Sequence, residues 1–288
     1  MSAAVVTLAS PALGDVFSHP FMRYAFLAGT AVAVAAGLVG YFLVLRAQIF
    51  TADALSHVAF TGALAALAAG LDARIGLFAV TVLVAVAMGV LGRRTRPDDV
   101  VIGGVFAWIL GLGVFFLTLY TTRRSAGANG QAGVSVLFGS ILGLSGRDAV
   151  VSAAVALAVS AAVLAVARPL LFASIDDAVA ATQGVPVRLI GYAFLVLVGI
   201  TAAEATQVVG ALLILGLLAA PAGTAMRVTA RPLRALAISV GIAVASVWIG
   251  LVTSYLVPAV PPSFAILAVA TAAYVVTFAL PARRLAIG

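Results

Sequence analysis

The chain has no cysteine and no lysine. The first absence removes disulfides and thiolate metal sites, so a metal ion would have to be met by His, Asp, Glu, Gln or backbone oxygen. The second removes the phosphate-binding lysine of the G-x-x-x-x-G-K-[ST] loop, so the chain cannot act by itself as a P-loop ATPase. Charge of either sign is scarce. Asp, Glu, Lys and Arg make up 9% of the 288 residues, with a single glutamate, Glu204, and two histidines, His19 and His57. So few acids and histidines exclude a multi-centre metalloenzyme. Ser56 stands beside His57, but adjacency in sequence does not create nucleophile–base geometry. An enzyme is not expected.

What the chain has is apolar residues. They account for 64% of it, with a mean hydropathy of +1.25. That composition belongs to polytopic membrane proteins, not to soluble domains. The expected fold class is all-α, a transmembrane helical bundle of about eight to nine spans forming one domain over residues 1–288. Residues 1–20 have no basic stretch ahead of an apolar core, so a cleaved signal peptide is not expected. The net charge of +7 comes from sixteen arginines against nine acids. They sit in short links between apolar runs, which reads as membrane topology and not as nucleic-acid binding.

A span needs about 20 mostly apolar residues. By that measure the runs are Tyr24–Leu45, Ser56–Leu71, Ile75–Leu91, Val100–Tyr120, Ala149–Ala167, Leu189–Ala203, Val208–Met226, Ala235–Val257 and Phe264–Leu280. Gly133–Ser145 is apolar but too short to cross, and reads as a re-entrant or surface-lying segment. An eight-span reading, with one short run not crossing, stays open. Nine alternating spans with the Arg93–Arg96 cluster inside also put Arg46, Arg168, Arg188, Arg227, Arg231, Arg234, Arg283 and Arg284 inside. Arg23, Arg74, Arg123, Arg124 and Arg147 then fall outside. This bias predicts an extracytoplasmic N-terminus and a cytoplasmic C-terminus.

Three places could carry chemistry. Asp53 and His57 lie four residues apart near the head of the second run, so on a helix they share a face. Carboxylate and imidazole both ligate zinc or manganese, and ionisable groups within spans default to a functional reading. The bland alternative is a polar pair bonded to its neighbours. Glu204 and Gln207 interrupt the apolar sequence after the sixth run, either as interfacial polar groups or as the lining of a cation path. Asp72 with Arg74, and Arg147 with Asp148, read as loop charges. The segment of residues 168–188 reads as a link holding a short helix of about two turns. Ser174 or Asp176 would cap it, Asp177 would sit in its first turn, and Gly184 with Pro186 would end it. Such a helix is either an ordinary interfacial one or a docking element for a soluble partner.

Four blocks taken together resemble the permease subunits of the ABC importers for zinc, manganese and iron. They are Phe42–Arg46 followed by Asp53–His57; Leu137–Gly143; Ile175–Ala178 through Gly184–Pro186; and Val209–Leu213 through Ala220–Ala225. The resemblance covers about residues 24–280. Two departures are visible. Thr61-Gly62 stands where the family has Pro-Gly, and Asp176-Asp177-Ala178 stands where it has Asp-Pro-Glu.

The resemblance implies a bundle similar to that of the cobalamin and siderophore importers, with one fewer leading helix, in a bacterial-type inner membrane. It implies a second copy of the chain around one central path. ATP would be bound on two cytosolic ATPase subunits docked at the coupling segments, and an extracytoplasmic metal-binding protein would deliver the ion. No cofactor would be bound permanently, and the cargo would be Zn2+ or Mn2+. The donor set suits both about equally, with a slight lean to zinc. Asp53 and His57 match the family's motif as metal contacts, and Glu204 with Gln207 are second candidates. A secondary transporter driven by an ion gradient is the alternative reading; it would want inverted repeats with paired acids, and no convincing repeat is present.

Overall fold

The computed structural model describes residues 16–92, 99–123, 139–211 and 214–279. The Arg93–Arg96 cluster, residues 124–138 with the first six residues of the apolar Gly133–Ser145 segment, and Arg283 and Arg284 lie outside the described residues. Among the described residues the chain forms ten α-helices: α1 (Pro20–Leu45), α2 (Ile49–Ala68), α3 (Ala73–Leu91), α4 (Asp99–Arg123), α5 (Gly146–Ile175), α6 (Asp177–Thr182), α7 (Val187–Val208), α8 (Ile214–Val228), α9 (Pro232–Leu256) and α10 (Pro262–Ala279). A 3₁₀ turn, Ile141–Gly143, precedes α5. Eight of the helices are long and apolar enough to cross a membrane.

The helix starts follow local chemistry. Pro20 and Pro232 open α1 and α9 at positions where a missing N–H costs nothing. The Asp72 carboxylate accepts from the backbone N–H of Arg74 at 2.7 Å to cap α3. Ser145 caps α5, accepting from the N–H of Asp148 at 3.2 Å.

α1 is the most enclosed element, buried along most of its length. Small residues let its neighbours come close. A Cβ on Gly37 would meet the backbone of Val240 on α9 at 2.7 Å, and Ser239 donates its hydroxyl to the Gly37 carbonyl at 2.8 Å. Gly29 faces Val247 on the same helix, so α1 and α9 run antiparallel. Gly62 of α2 and Gly76 of α3 meet backbone to backbone. α4 is the least covered helix, with Val100 83% and Trp108 75% exposed.

The bundle has two distinct ends. Arg74 at the start of α3 bonds Asp148 at the start of α5, and Tyr24 of α1 touches Gly146 beside them. At the opposite end, Arg46 after α1 reaches Ser174 near the end of α5. α9 runs away from the Arg46 end and α10 returns to it, because Gly250 of α9 packs on Ile266 of α10. α8 runs parallel to α10, with Gly216 against Leu267 and Gly223 against Tyr274.

Three expectations need correction. The run Val208–Met226 is not one span. α7 ends at Val208, Gly210 takes φ 98°, and α8 is a 15-residue helix. At 1.5 Å per residue α8 is about 22 Å long, short of the ~30 Å apolar thickness. The second helix starts at Ile49, not Ser56, which puts Asp53 inside α2. The fifth helix does not stop at Ala167 but passes through Pro169 to Ile175, so residues 168–175 extend α5 instead of forming a loop.

Candidate metal path and coupling elements

α2 is held on three sides. Thr61 donates to the Ile109 carbonyl of α4 at 3.1 Å. Gly62 meets Gly76 of α3. Ser56 is wholly buried, and its hydroxyl lies 2.7 Å from the Asp53 carbonyl and 3.1 Å from the Ala211 carbonyl, which joins α2 to the turn after α7. Asp53 and His57 project from the same helix one turn apart and are both half-buried. Phe50, Asp53, Ala54, Ile102, Gly103 and Phe106 line an open groove of about 450 Å³ between α2 and α4. His57 sets its ring edge-on to Phe106, with centroids 5.1 Å apart. Gly103 faces open space where a Cβ would otherwise project.

Asp53 and His57 offer one oxygen and one nitrogen donor from a single chain. Among the described residues no group of three or more His, Asp or Glu comes together. The two donors suit a partial, exchangeable coordination shell, not a closed structural site.

Glu204 and Gln207 belong elsewhere. Both lie within α7, which runs on to Val208 instead of breaking at Ala203. Glu204 is 1% exposed, and among the described residues its two carboxyl oxygens meet no partner at full hydrogen-bond geometry. Ser152 of α5 and Arg74 of α3 are its polar surroundings. Gln207 lines a second cavity of about 640 Å³, together with Arg74, Arg147, Asp148, Asp72 and Ser140. The structure therefore brings Asp53 together with His57 and sets Glu204 and Gln207 in a separate region.

Arg74 was read as a loop charge and is not one. It donates to Asp148 Oδ1 at 3.0 Å, to the Asp148 carbonyl at 3.3 Å and to Ser152 Oγ at 2.9 Å, so it ties α3 to α5. Its position two residues after a capping Asp, at the head of an apolar helix, was the available signal. Nothing in the sequence paired it with a residue 74 positions away.

In the link between α5 and α7, Asp176 is the cap of α6. Its carboxylate accepts from the N–H groups of Ala178 and Val179, both at 2.9 Å. Ser174 does not cap: it donates to the Leu170 carbonyl at 2.6 Å inside the last turn of α5. α6 has six residues with Asp177 in its first turn, less than the two turns expected. Gly184 takes φ 81° after it, and Pro186 stands just ahead of α7. Ile175, Val179 and Leu189 are 69%, 46% and 66% exposed around this corner.

Comparison with known proteins agrees with this architecture. The model of the ABC 3 transport family matches residues 18–281. The manganese transport system membrane protein MntC of Halalkalibacterium halodurans is 30% identical over 218 residues, 75% of this chain and 73% of that protein. The iron transport system membrane protein of Haemophilus influenzae, described as probable, is 27% identical over 236 residues, 82% and 84% of the two chains. Among solved structures, PsaBC from Streptococcus pneumoniae in complex with Fab superposes with a TM-score of 0.79 at 25% identity, covering 92% of this chain and 93% of that one. A metal-chelate type ABC transporter in an inward-facing conformation superposes with a TM-score of 0.67 at 17% identity, a likeness of fold.

Proposed function

Because the chain belongs to the ABC 3 transport family, we propose that it is the membrane-spanning subunit of an ATP-driven importer of a divalent first-row transition metal, with Asp53 and His57 as the metal contacts. The observation that carries this reading is the placement of the two donors one turn apart on α2, with Asp53 lining the α2–α4 groove and His57 set against Phe106 of the same groove. Manganese is the cargo we favour. A carboxylate oxygen with one imidazole and no thiolate suits it, and relatives are named for manganese and iron transport. This moves away from the slight lean to zinc of the sequence reading, in which the donor set suited both ions about equally.

In this reading two copies of the chain enclose the path, and each brings Asp53 and His57 to it. The weakly covered α4 and the groove beside it support a facing copy there. The end carrying Arg46, Arg168, Arg188, Arg227, Arg231 and Arg234 is cytosolic by the bias of positive charge. Cytosolic ATPase subunits dock at the α6 corner, whose exposed Ile175, Val179 and Leu189 offer an apolar seat. A metal-binding protein delivers the ion at the opposite end. The ion meets Asp53 and His57 and leaves again, because two donors from each chain bind without trapping. Glu204 and Gln207 stay outside this path.

The test is metal uptake into proteoliposomes holding the permease with its ATPase and binding protein. Wild type is expected to accumulate manganese only with ATP. Asp53→Ala and His57→Ala are expected to assemble and not to accumulate it. Normal uptake by both variants would move the site away from α2. Uptake without any ATPase would replace this reading with a secondary transporter.

A further inference from the structure

An arginine at the end of a membrane helix ordinarily extends toward water. Arg46 folds inward instead and is 6% exposed. It follows Leu45, the last residue of α1, and only Ala47 and Gln48 separate it from α2. Its Nε donates to Gln48 Oε1 at 3.0 Å. One terminal nitrogen reaches Ser174 Oγ at 3.4 Å. The guanidinium carbon lies 5.5 Å from the ring centroid of Phe194 on α7. One side chain thus touches the head of α2, the last turn of α5 and the wall of α7.

The two ends of this contact are functionally unlike. Ser174 stands two residues before Asp176, the cap of α6. Gln48 immediately precedes α2, and Asp53 is about one turn further on. Gln48 is 4% exposed, and its backbone carbonyl accepts from the N–H of Thr51 at 3.1 Å. Between Arg46 and Gln48, Ala47 holds φ 54°, a left-handed conformation that a residue with a Cβ adopts only when its surroundings impose it. A buried cation and a strained alanine at one three-residue corner are both costly, and both serve to fix the corner's geometry.

We propose that Arg46 is a positioning residue that carries movement of the α5–α6 corner to α2, and so to Asp53 and His57. The inference rests on the ATP-driven reading above. When the docked ATPase shifts α6, Ser174 moves with it. The forked guanidinium passes that shift through Gln48 to the first turn of α2, while Phe194 serves as the surface it slides on. The path is contiguous, and each link is a named contact. Lysine does not replace it, since a single ammonium cannot bridge two hydrogen-bond partners in fixed planar geometry and stack on a ring as well.

The experiment measures manganese ions imported per ATP hydrolysed by the full complex of permease, ATPase and binding protein in proteoliposomes. In Arg46→Met and Arg46→Lys the complex is expected to assemble and hydrolyse ATP, while the ratio falls about tenfold. Ser174→Ala is expected to lower the ratio by a smaller factor, about threefold, and the Arg46→Met/Ser174→Ala double change to do no more than Arg46→Met alone. An unchanged ratio in both arginine variants, or factors that multiply in the double variant, overturns the proposal. If the arginine variants do not assemble, Ser174→Ala decides: an unchanged ratio overturns it and a reduced one supports it. Failure of the wild-type complex to couple uptake to ATP overturns the functional reading itself, and is distinguished because every variant is read against that wild type.

Discussion

Among the described residues, two acids lie beyond the first turn of an apolar helix, and the bundle treats them in opposite ways. Asp53 is half-buried, has His57 one turn away, and opens on a groove where Gly103 leaves backbone bare. Glu204 is 1% exposed, with Arg74 of α3 and Ser152 of α5 as polar groups near it. An ionisable side chain within a span can serve an ion only if it has a free space beside it and a second donor beyond that. Enclosed in packed surroundings, the same chemical group has no space in which to meet an ion. The difference between Asp53 and Glu204 is thus one of surroundings, not of residue type.

The comparison breaks most visibly in transport. His57→Ala or Asp53→Ala is expected to cut uptake by about 100-fold or more, since even indirect supports of a metal site cost 10–100-fold. Glu204→Gln is expected to leave uptake within about threefold of wild type. Loss of uptake in Glu204→Gln at unchanged thermal stability would erase the distinction.

The next largest effect is on stability. Arg74→Met removes the Asp148 and Ser152 bonds between α3 and α5 and the positive charge near Glu204, which is expected to destabilise the protein by about 1–3 kcal/mol in thermal unfolding. Adding Glu204→Gln should recover a large part of that loss. No recovery would mean that Arg74 serves Asp148 alone.

Glycines sharpen the same contrast. Gly62→Ala places a Cβ against the Gly76 backbone and is expected to cost about 1–3 kcal/mol. Gly103→Leu grows from a position where a Cβ meets nothing within 4 Å among the described residues. It should leave stability within about 0.5 kcal/mol while filling the groove and lowering uptake. The smallest effect is expected at the coupling corner. Asp176→Ala removes both cap bonds of α6 and should cost about 1 kcal/mol of local helix stability, read as weaker retention of the ATPase subunit.

The spans were legible because length and hydropathy decide them, and the pairing of Asp53 with His57 was legible because a spacing of four has one meaning on a helix. The break between α7 and α8 was not. Val208–Met226 is apolar throughout, and glycine is common enough in membrane helices that Gly210 does not announce a left-handed turn. The extension of α5 was hidden by Arg168-Pro169, which reads as a stop, although helix geometry continues to Ile175. Arg46 and Arg74 were hidden for a different reason. Their partners lie 128 and 74 positions away, and only the fold brings Ser174 and Asp148 to them.

The most direct test of the Asp53–His57 site uses the fact that the chain has two histidines, His19 and His57. Permease with 15N-labelled histidine, loaded with Mn2+, would be examined by pulsed electron paramagnetic resonance for hyperfine coupling from imidazole nitrogen. The account expects a 15N coupling in wild type that persists in His19→Gln and vanishes in His57→Gln. No coupling in wild type, or a coupling lost only with His19→Gln, would contradict it.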